Sequence, residues 1–392
     1  MSVLPAPLRP RIERFPGSRI REIANAGMWK ADVAALWFGE GDLPTPDFIC
    51  QAAARAMTDG KTFYTQNSGI PELRQAIARY VTRLHGGPVG ADRITVTASG
   101  VNAIMLVMQA LIEAGDNAVM VTPVWPNCAD AIHVLGGEVR RVPLSAPDGR
   151  SADDRWRLDI QRLIDACDER TRLIFVNSPG NPTGWMATPE DHAALLAFAR
   201  QRRIWIVADE VYERLVYDRP CAPSALDRAG ADDPVIAINS FSKSWCMTGW
   251  RLGWLVHPPA LADTFGKLNE VNMSGPATFS QHAGIVAIEQ GEAFIREIVE
   301  AYGRARDVVV QRLSAMPRVR LARPDAAFYA FFRLDGMTDS LGTAKRLLRQ
   351  SGVGLAPGIA FGPEGEGFLR LCFATRPERL SAALDRLEPA LA

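Results

Sequence analysis

The 392-residue sequence predicts an α/β protein: a large domain with a mostly parallel seven-stranded sheet covered by helices, plus a smaller α/β domain. Three observations carry that expectation. Short apolar, β-branched runs alternate with amphipathic stretches from about residue 90 onward, the rhythm of strand–helix–strand units. Several of these runs, such as RLIFV and IWIVA, are apolar almost without a break, as strands covered on both faces must be. The chain is also too long for one small core and suits two.

The elements follow in order. Pro5, Pro7 and Pro10 mark the opening residues as an extended arm. Strands are expected at Arg93–Ser99, Asn117–Pro123, Glu138–Leu144, Arg172–Asn177, Ile204–Asp209, Val235–Ser240 and Leu252–His257. Amphipathic helices are expected between several of them, including Asn102–Glu113 and Glu190–Arg202. A long helical pattern runs from Phe279 to Ala315, as one helix or as two with Gly291 as the break. AFYAFFRL, AKRLLRQSGV, FLRLCFA and an amphipathic stretch from about Glu378 then read as a mixed α/β unit. The expected division is an N-terminal arm and part of the small domain at 1–45, a large ligand-binding domain at 46–278, one or two connecting helices at 279–315 and a small C-terminal domain at 316–392.

Charge and composition narrow the function. Lys plus Arg and Asp plus Glu both number 44, so the net charge is zero and neither nucleic acid nor an anionic membrane is expected as a partner. No apolar run approaches the roughly 18–20 residues of a membrane helix, and the opening MSVLPAPLRPRIERFPGSR lacks the apolar core of a signal peptide. A soluble cytoplasmic protein is expected. The six cysteines include no CxxC pair and read as free thiols in a reducing compartment. The five histidines form no HExxH or similar pattern, so no metal is expected.

In open α/β sheets, ligands bind beyond the carboxyl ends of the strands. Five such ends carry Ser99-Gly100-Val101-Asn102, Thr122-Pro123-Val124-Trp125, the run NSPGNPTG from Asn177 to Gly184, Asp209-Glu210-Val211-Tyr212, and Ser240-Phe241-Ser242-Lys243. Together they suit a flat, phosphorylated heteroaromatic aldehyde. Its phosphate needs N–H groups at a helix start, which Gly100 and Val101 offer, with Ser240, Ser242 and Arg251 adding hydroxyls and a fixed charge. Its ring needs a stacking face, such as Trp125, and a buried carboxylate on the ring nitrogen, such as Asp209. Its phenolic oxygen needs donors, such as Asn181 and Tyr212. Its aldehyde needs an amine, and Lys243 sits in the apolar setting FSKSWCM, where desolvation and a neighbouring cation would lower its pKa.

Singly, each feature has a plainer explanation. A strand-end aspartate usually caps a helix, NPTG is a good turn, Trp125 is more often a core side chain, and a lone lysine is usually a solvated surface group. Here all of them fall at the strand ends of one expected sheet.

In this order and spacing, GEGDLPTPDFI, YTQNSGIPELRQAIA, TASGVNA, TPVWPN, NSPGNPTG, VADEVY, SFSKSWCMTGWRLGW and FLRLCFA span nearly the whole chain. The sequence resembles the fold-type I, pyridoxal-phosphate (PLP) dependent class I/II aminotransferases of the aspartate-aminotransferase-like group. SxSK followed by GWRLGW carries most of the resemblance.

The resemblance implies a PLP-dependent transferase fold and a ping-pong transfer between an α-amino acid and a 2-oxo acid. It makes Lys243 the Schiff-base lysine and proton shuttle, and Asp209 the partner of the pyridine nitrogen. Asn181 and Tyr212 would meet the ring hydroxyl and Trp125 the ring face. Gly100, Val101, Ser240, Ser242 and Arg251 would bind the phosphate. Tyr64 would reach the phosphate of a neighbouring subunit, near its Arg251, which implies a homodimer. Gly39 and Arg370 would bind the substrate α-carboxylate. Thr122–Pro123 and Asn181–Pro182 match peptide bonds that are cis in the family.

Two departures bear on substrate choice. GEGDLPTP replaces the usual GEPDFDTP, and Val271–Pro276 (VNMSGP) has no arginine where some aspartate-specific members supply one. A neutral, apolar or aromatic amino donor is therefore expected, unless Arg19, Arg21 or Lys30 of the arm folds inward. The alternatives are a β-eliminating lyase on the same scaffold and a non-catalytic PLP-sensing module. The second would need a DNA-binding helix-turn-helix ahead of this domain, and TASGVNA lacks the GxGxxG of a dinucleotide-binding domain.

Overall fold

The structure is a computed structural model that describes residues 6–149 and 154–391. Its main sheet has seven strands: β1 (Ile94–Thr97), β2 (Asn117–Thr122), β3 (Glu138–Pro143), β4 (Thr171–Asn177), β5 (Trp205–Asp209), β6 (Val235–Ser240) and β7 (Gly253–Val256). Their spatial order is β1-β7-β6-β5-β4-β2-β3. Strands β3, β2, β4, β5 and β6 pair in parallel, and β7 runs antiparallel to both of its neighbours.

That single reversal has a consequence. Because β1 and β6 are both antiparallel to β7, their carboxyl ends share an edge with the start of β7. The register sets Thr97 and Ser240 opposite Gly253, so Gly100, Ser240 and Arg251 arrive at one place.

Local chemistry fixes the element ends. The helix after β1 starts at Gly100, two residues before the amphipathic pattern does. The Ser99 hydroxyl accepts from Asn102 N at 3.1 Å, and the Asn102 side chain accepts from Ala98 N at 3.1 Å. Helix Pro189–Arg202 opens with a capping box, in which Thr188 and Asp191 each accept from the other's backbone N–H. The long helical pattern is two helices, Thr278–Gln290 and Glu292–Ser314, divided at Gly291. Among the described residues, no helix is long and apolar enough to cross a membrane.

A second sheet follows, from β8 (Val319–Arg320), β9 (Tyr329–Leu334), β10 (Ala356–Pro357) and β11 (Phe368–Cys372). It is antiparallel in the order β10-β11-β9-β8. The N-terminal segment packs against this part of the chain: Ala34–Ala35 pairs in parallel with Val353–Gly354, and Cys372 N donates to Leu36 O at 3.1 Å. The peptide bonds before Pro123, Pro179 and Pro182 are cis, two of them as the resemblance implies.

Ile174, Phe175 and Val207 are fully buried in the main sheet, and Phe332, Leu369 and Leu371 in the small one. Each such side chain contributes about 1.5–3 kcal/mol relative to exposure. Packing is close where β7 passes the start of the Gly100 helix. A Cβ on Gly253 would lie 2.8 Å from Asn239 O, 2.8 Å from the Ser99 carbonyl carbon and 2.9 Å from Gly100 N. Gly253→Ala is therefore expected to cost about 1–3 kcal/mol, visible as a lower Tm in thermal unfolding. An unchanged Tm would show that the Ser99–Gly100 turn gives way freely.

Candidate active site

A cavity of about 740 Å³ lies at the edge where β1, β4, β5 and β6 end and β7 begins. It is lined by Gly39, Gly100, Val101, Trp125, Asn181, Asp209, Tyr212, Ser240, Ser242, Lys243, Arg251 and Arg370, which is every sequence-predicted site residue except Tyr64.

Lys243 sits in the short helix Phe241–Ser244 directly after β6. Its Nζ donates to Gly39 O at 2.5 Å and lies 5.9 Å from the centre of the Tyr212 ring. The side chain touches the cavity but is otherwise surrounded by protein. Burial pulls its pKa down to about 8, with Arg370 and Arg251 acting in the same direction against Cys372 and Glu40. Glycine is required at 39, because a Cβ there would sit 2.0 Å from the Tyr329 hydroxyl.

Asp209 ends β5 and is 4% exposed. Burial raises its carboxyl to about 7, opposed by the Val211 N–H and Lys243. Its Oδ1 is buried with no protein partner. Arg370, on β11, is 1% exposed. Its Nη1 donates to Asn181 Oδ1 at 2.8 Å and its Nη2 to Trp37 O, and its Nε is buried without an acceptor. The guanidinium lies 4.5 Å from the Tyr329 ring centre and 4.9 Å from that of Phe361. The cavity thus holds a buried acceptor without a donor and a buried donor without an acceptor.

The remaining groups are ordered. The Tyr212 and Tyr329 hydroxyls share a hydrogen bond of 2.6 Å, and Asn181 N donates to Asn177 Oδ1 at 2.8 Å. Ser240 Oγ and Ser242 Oγ are 2.9 Å apart. Arg251 has φ of 54° and donates from Nη1 to Thr248 O. The first-turn N–H groups of the Gly100 helix have no partner within their own helix and favour an anion.

Residues 33–387 match the family described as aminotransferase class I and II. The chain belongs to that family. It is 33% identical to the aspartate aminotransferase of Pyrococcus horikoshii over 97% of this chain and 96% of that protein. It is 31% identical to aromatic-amino-acid aminotransferase 2 of Thermococcus litoralis, over 98% of each. The crystal structure of aspartate aminotransferase from Thermotoga maritima superposes with a TM-score of 0.88 at 34% identity, over 97% of this chain and 99% of that one. The protein is accordingly an enzyme that transfers amino groups, and these relatives do not favour a β-eliminating lyase.

In this aminotransferase the turn carrying Asp209 and Tyr212 is pinned from behind. His85 meets Glu213 at 3.2 Å and Asp227 at 2.9 Å, while Arg214 donates to Tyr80 and Glu292. The ligating atoms of His85, Glu210 and Glu213 lie within 4.8 Å of one another. Both ring nitrogens of His85 are engaged, however, and Glu210 accepts from Ser224 and Ala225, so the cluster is a closed hydrogen-bond network.

Tyr64 stands apart, 92% exposed and outside the cavity. Sequence reasoning missed Tyr329, Asn177 and the backbone acceptor at Trp37. The alternation of AFYAFF held a signal for Tyr329: the β9–β11 register pairs Phe331 with Arg370 and Tyr329 with Cys372, so all four share one face. Arg21, Ile20, Met28 and Phe38 of the N-terminal segment also line the cavity, so the arm does fold inward.

Lys243 and Asp209 make stability depend on pH. Between pH 8 and 10.5 the unfolded chain holds the lysine proton and the folded chain has lost it, so stability rises with pH across that window. For Asp209 the folded chain holds the proton between 3.8 and 7, so stability falls as pH rises there. Ligand-free Lys243→Met should therefore be more stable than its parent below pH 8, with an advantage that shrinks toward 10.5. Denaturant unfolding across this range checks it, and a pH-independent advantage would contradict the shifted lysine.

Proposed function

We propose that this aminotransferase holds pyridoxal 5'-phosphate on Lys243 and moves amino groups between α-amino acids and 2-oxo acids by a ping-pong reaction, with a neutral amino donor favoured. One observation carries the reading. Asp209 Oδ1 and Arg370 Nε, buried and unpartnered in the cavity that holds Lys243, call for a ligand pair with a ring N–H at one end and a carboxylate at the other.

When bound, the cofactor supplies an aldehyde for the lysine amine and a ring that draws electrons from the substrate α-carbon. This chain's residues do the rest. Lys243, with its pKa near 8, has a useful fraction of neutral amine at neutral pH and moves the proton at the substrate α-carbon. Asp209 accepts the ring N–H, and its ionised form is favoured by that cation. The Asn181 amide NH₂, whose oxygen partner accepts from Arg370, and the Tyr212 hydroxyl would meet the ring oxygen. Trp125 covers the ring. Gly100, Val101, Ser240, Ser242 and Arg251 hold the phosphate. Arg370 takes the substrate α-carboxylate on Nε and its neighbouring N–H, with Gly39 beside it.

The preference for a neutral donor rests on Ile20, Met28, Phe38 and Val101 in the cavity wall and on the uncharged segment Val271–Pro276; Arg21, the arm cation that also lines the cavity, stands against it. A homodimer is part of the same reading. Phe63, Tyr64 and Val271 are 80%, 92% and 84% exposed, on adjoining segments joined by hydrogen bonds from Thr278 to Phe63 O and from Asn67 to Glu270. Tyr64 would complete a partner's phosphate site. The domain division at 45, 278 and 315 belongs to this reading too, as does a reducing cytoplasm, which suits six unpaired cysteines.

Borohydride reduction of the cofactor-loaded protein, followed by peptide mapping, should place the cofactor's mass on Lys243 alone. Label elsewhere would overturn the assignment. Asp209→Asn keeps the shape and removes the charge. It should lower turnover by about 10²-fold or more with the fold retained by circular dichroism, and near-normal turnover would mean that Asp209 has another role.

A further inference from the structure

A second, much smaller cavity of about 20 Å³ adjoins the first, and the two share Glu40, Ser242, Lys243 and Thr248 in their walls. Cys246 and Tyr302 add to its polar lining. One water needs about 10–15 Å³ of such space and roughly two to four polar partners. The cavity has room for one, and its lining offers an amine, a carboxylate, hydroxyls and a thiol.

Position 41 helps to make this space polar. GEGDLPTP has glycine where the usual GEPDFDTP has proline. A Cβ at Gly41 would lie 2.6 Å from the Tyr302 hydroxyl and 3.3 Å from Ala374 O, so any side chain there would displace the phenol. Tyr302 is buried, and its hydroxyl and the Cys246 thiol form a hydrogen bond. The altered motif thus lets a phenol reach the turn that follows Lys243.

Glu40 connects this space to solvent. It is exposed and accepts from Thr248 Oγ1 at 3.2 Å. Among the described residues no cation forms an ion pair with it. Its charge is felt at Lys243, where it acts against the pull of burial.

The task of the lysine gives such a space a use. In each half of the transfer a C–H bond breaks as an N–H bond forms on Nζ, and an N–H bond then breaks as a new C–H forms. The charged amine carries three hydrogens, and Gly39 O engages one. We propose that the small cavity holds one water, and that this water and Glu40 are the route by which Lys243 exchanges its protons with solvent during amino transfer. Nζ–H gives a proton to the water, the water gives one to the Glu40 carboxylate, and Glu40 releases it to bulk. The reverse passage returns a solvent proton, so charge and atoms balance. This inference rests on the Lys243 reading above and adds a proton route to it.

The test follows hydrogen rather than rate. The cofactor-loaded enzyme is given alanine with carbon-13 pyruvate, or glutamate with carbon-13 2-oxoglutarate, in heavy water. Carbon-13 in the amino acid counts amino transfers, and deuterium at its α-carbon counts exchanged protons, both read by mass spectrometry. In the parent most of the newly made amino acid should carry deuterium. Glu40→Gln keeps the shape but passes no proton, and should lower that share by about 10-fold. Glu40→Asp should restore part of it. Tyr302→Phe, which removes one partner of the water, should lower it by a smaller factor. A high-resolution crystal structure of the ligand-free protein should show one water within hydrogen-bond reach of Lys243 and Glu40.

A dry cavity would overturn the proposal. So would an unchanged deuterium share in Glu40→Gln, or a parent whose new amino acid carries no deuterium. If Lys243→Ala transfers amino groups as fast as its parent, the Lys243 reading itself fails. If Lys243→Ala is inactive while Glu40→Gln exchanges like the parent, that reading stands and only the route falls. A parent that transfers with neither pair overturns both.

Discussion

The buried guanidinium of Arg370 is the constraint around which the site is organised. A cation at 1% exposure is costly unless its hydrogen bonds are met. Among the described residues it has no carboxylate partner, so neutral groups do the work. Asn181 comes from the loop after β4, Trp37 O from the N-terminal segment, and the faces of Tyr329 and Phe361 from the smaller sheet's side of the cavity. One charge therefore ties three distant stretches of chain to one point. The Nε left over fixes what a ligand must bring there, namely an anion. Burial is what makes this position selective: in water the same guanidinium would discriminate little.

Lys243 and Asp209 answer to the same physics with opposite signs. Burial pushes the lysine down to about 8 and the aspartate up to about 7, so each is drawn toward its neutral form. A site of this kind holds groups poised to gain or lose a proton near neutral pH, which general acid–base chemistry requires. The antiparallel strand β7 contributes the other half of the design. By reversing direction beside β1 and β6, it brings Arg251 to the helix start at Gly100, where an anion would have N–H groups, hydroxyls and a fixed cation together.

Much of this was legible in the sequence because strand ends are legible. Buried parallel strands read as apolar runs, and whatever follows each run lies on the ligand edge. Gly100, Val101, Trp125, Asn181, Asp209, Tyr212, Ser240, Ser242 and Lys243 were found in that way and line one cavity. Arg370 and Gly39 came from resemblance, since neither lies at an end of the main sheet. Tyr329 was missed because its run, AFYAFF, reads as core and does pack as core. Its hydroxyl, shared with Tyr212, and its ring face, under Arg370, are what reach the site.

The sequence by itself determined the strand–helix rhythm and the chemistry offered at each strand end, because these depend on neighbours a few residues away; whether the helical run 279–315 broke at Gly291 it left open. It did not determine where the N-terminal segment lies. Arg21 and Phe38 are joined to the cavity by packing against residues over 300 positions later: Ala34–Ala35 beside Val353–Gly354, and Gly27 beside Leu348. Nor did it reveal that Arg370 would be buried and left with one free donor. Both outcomes come from contacts between segments remote in sequence, whose local patterns are compatible with many arrangements. Tertiary packing selects among them by deciding which polar groups find partners and which remain for the ligand.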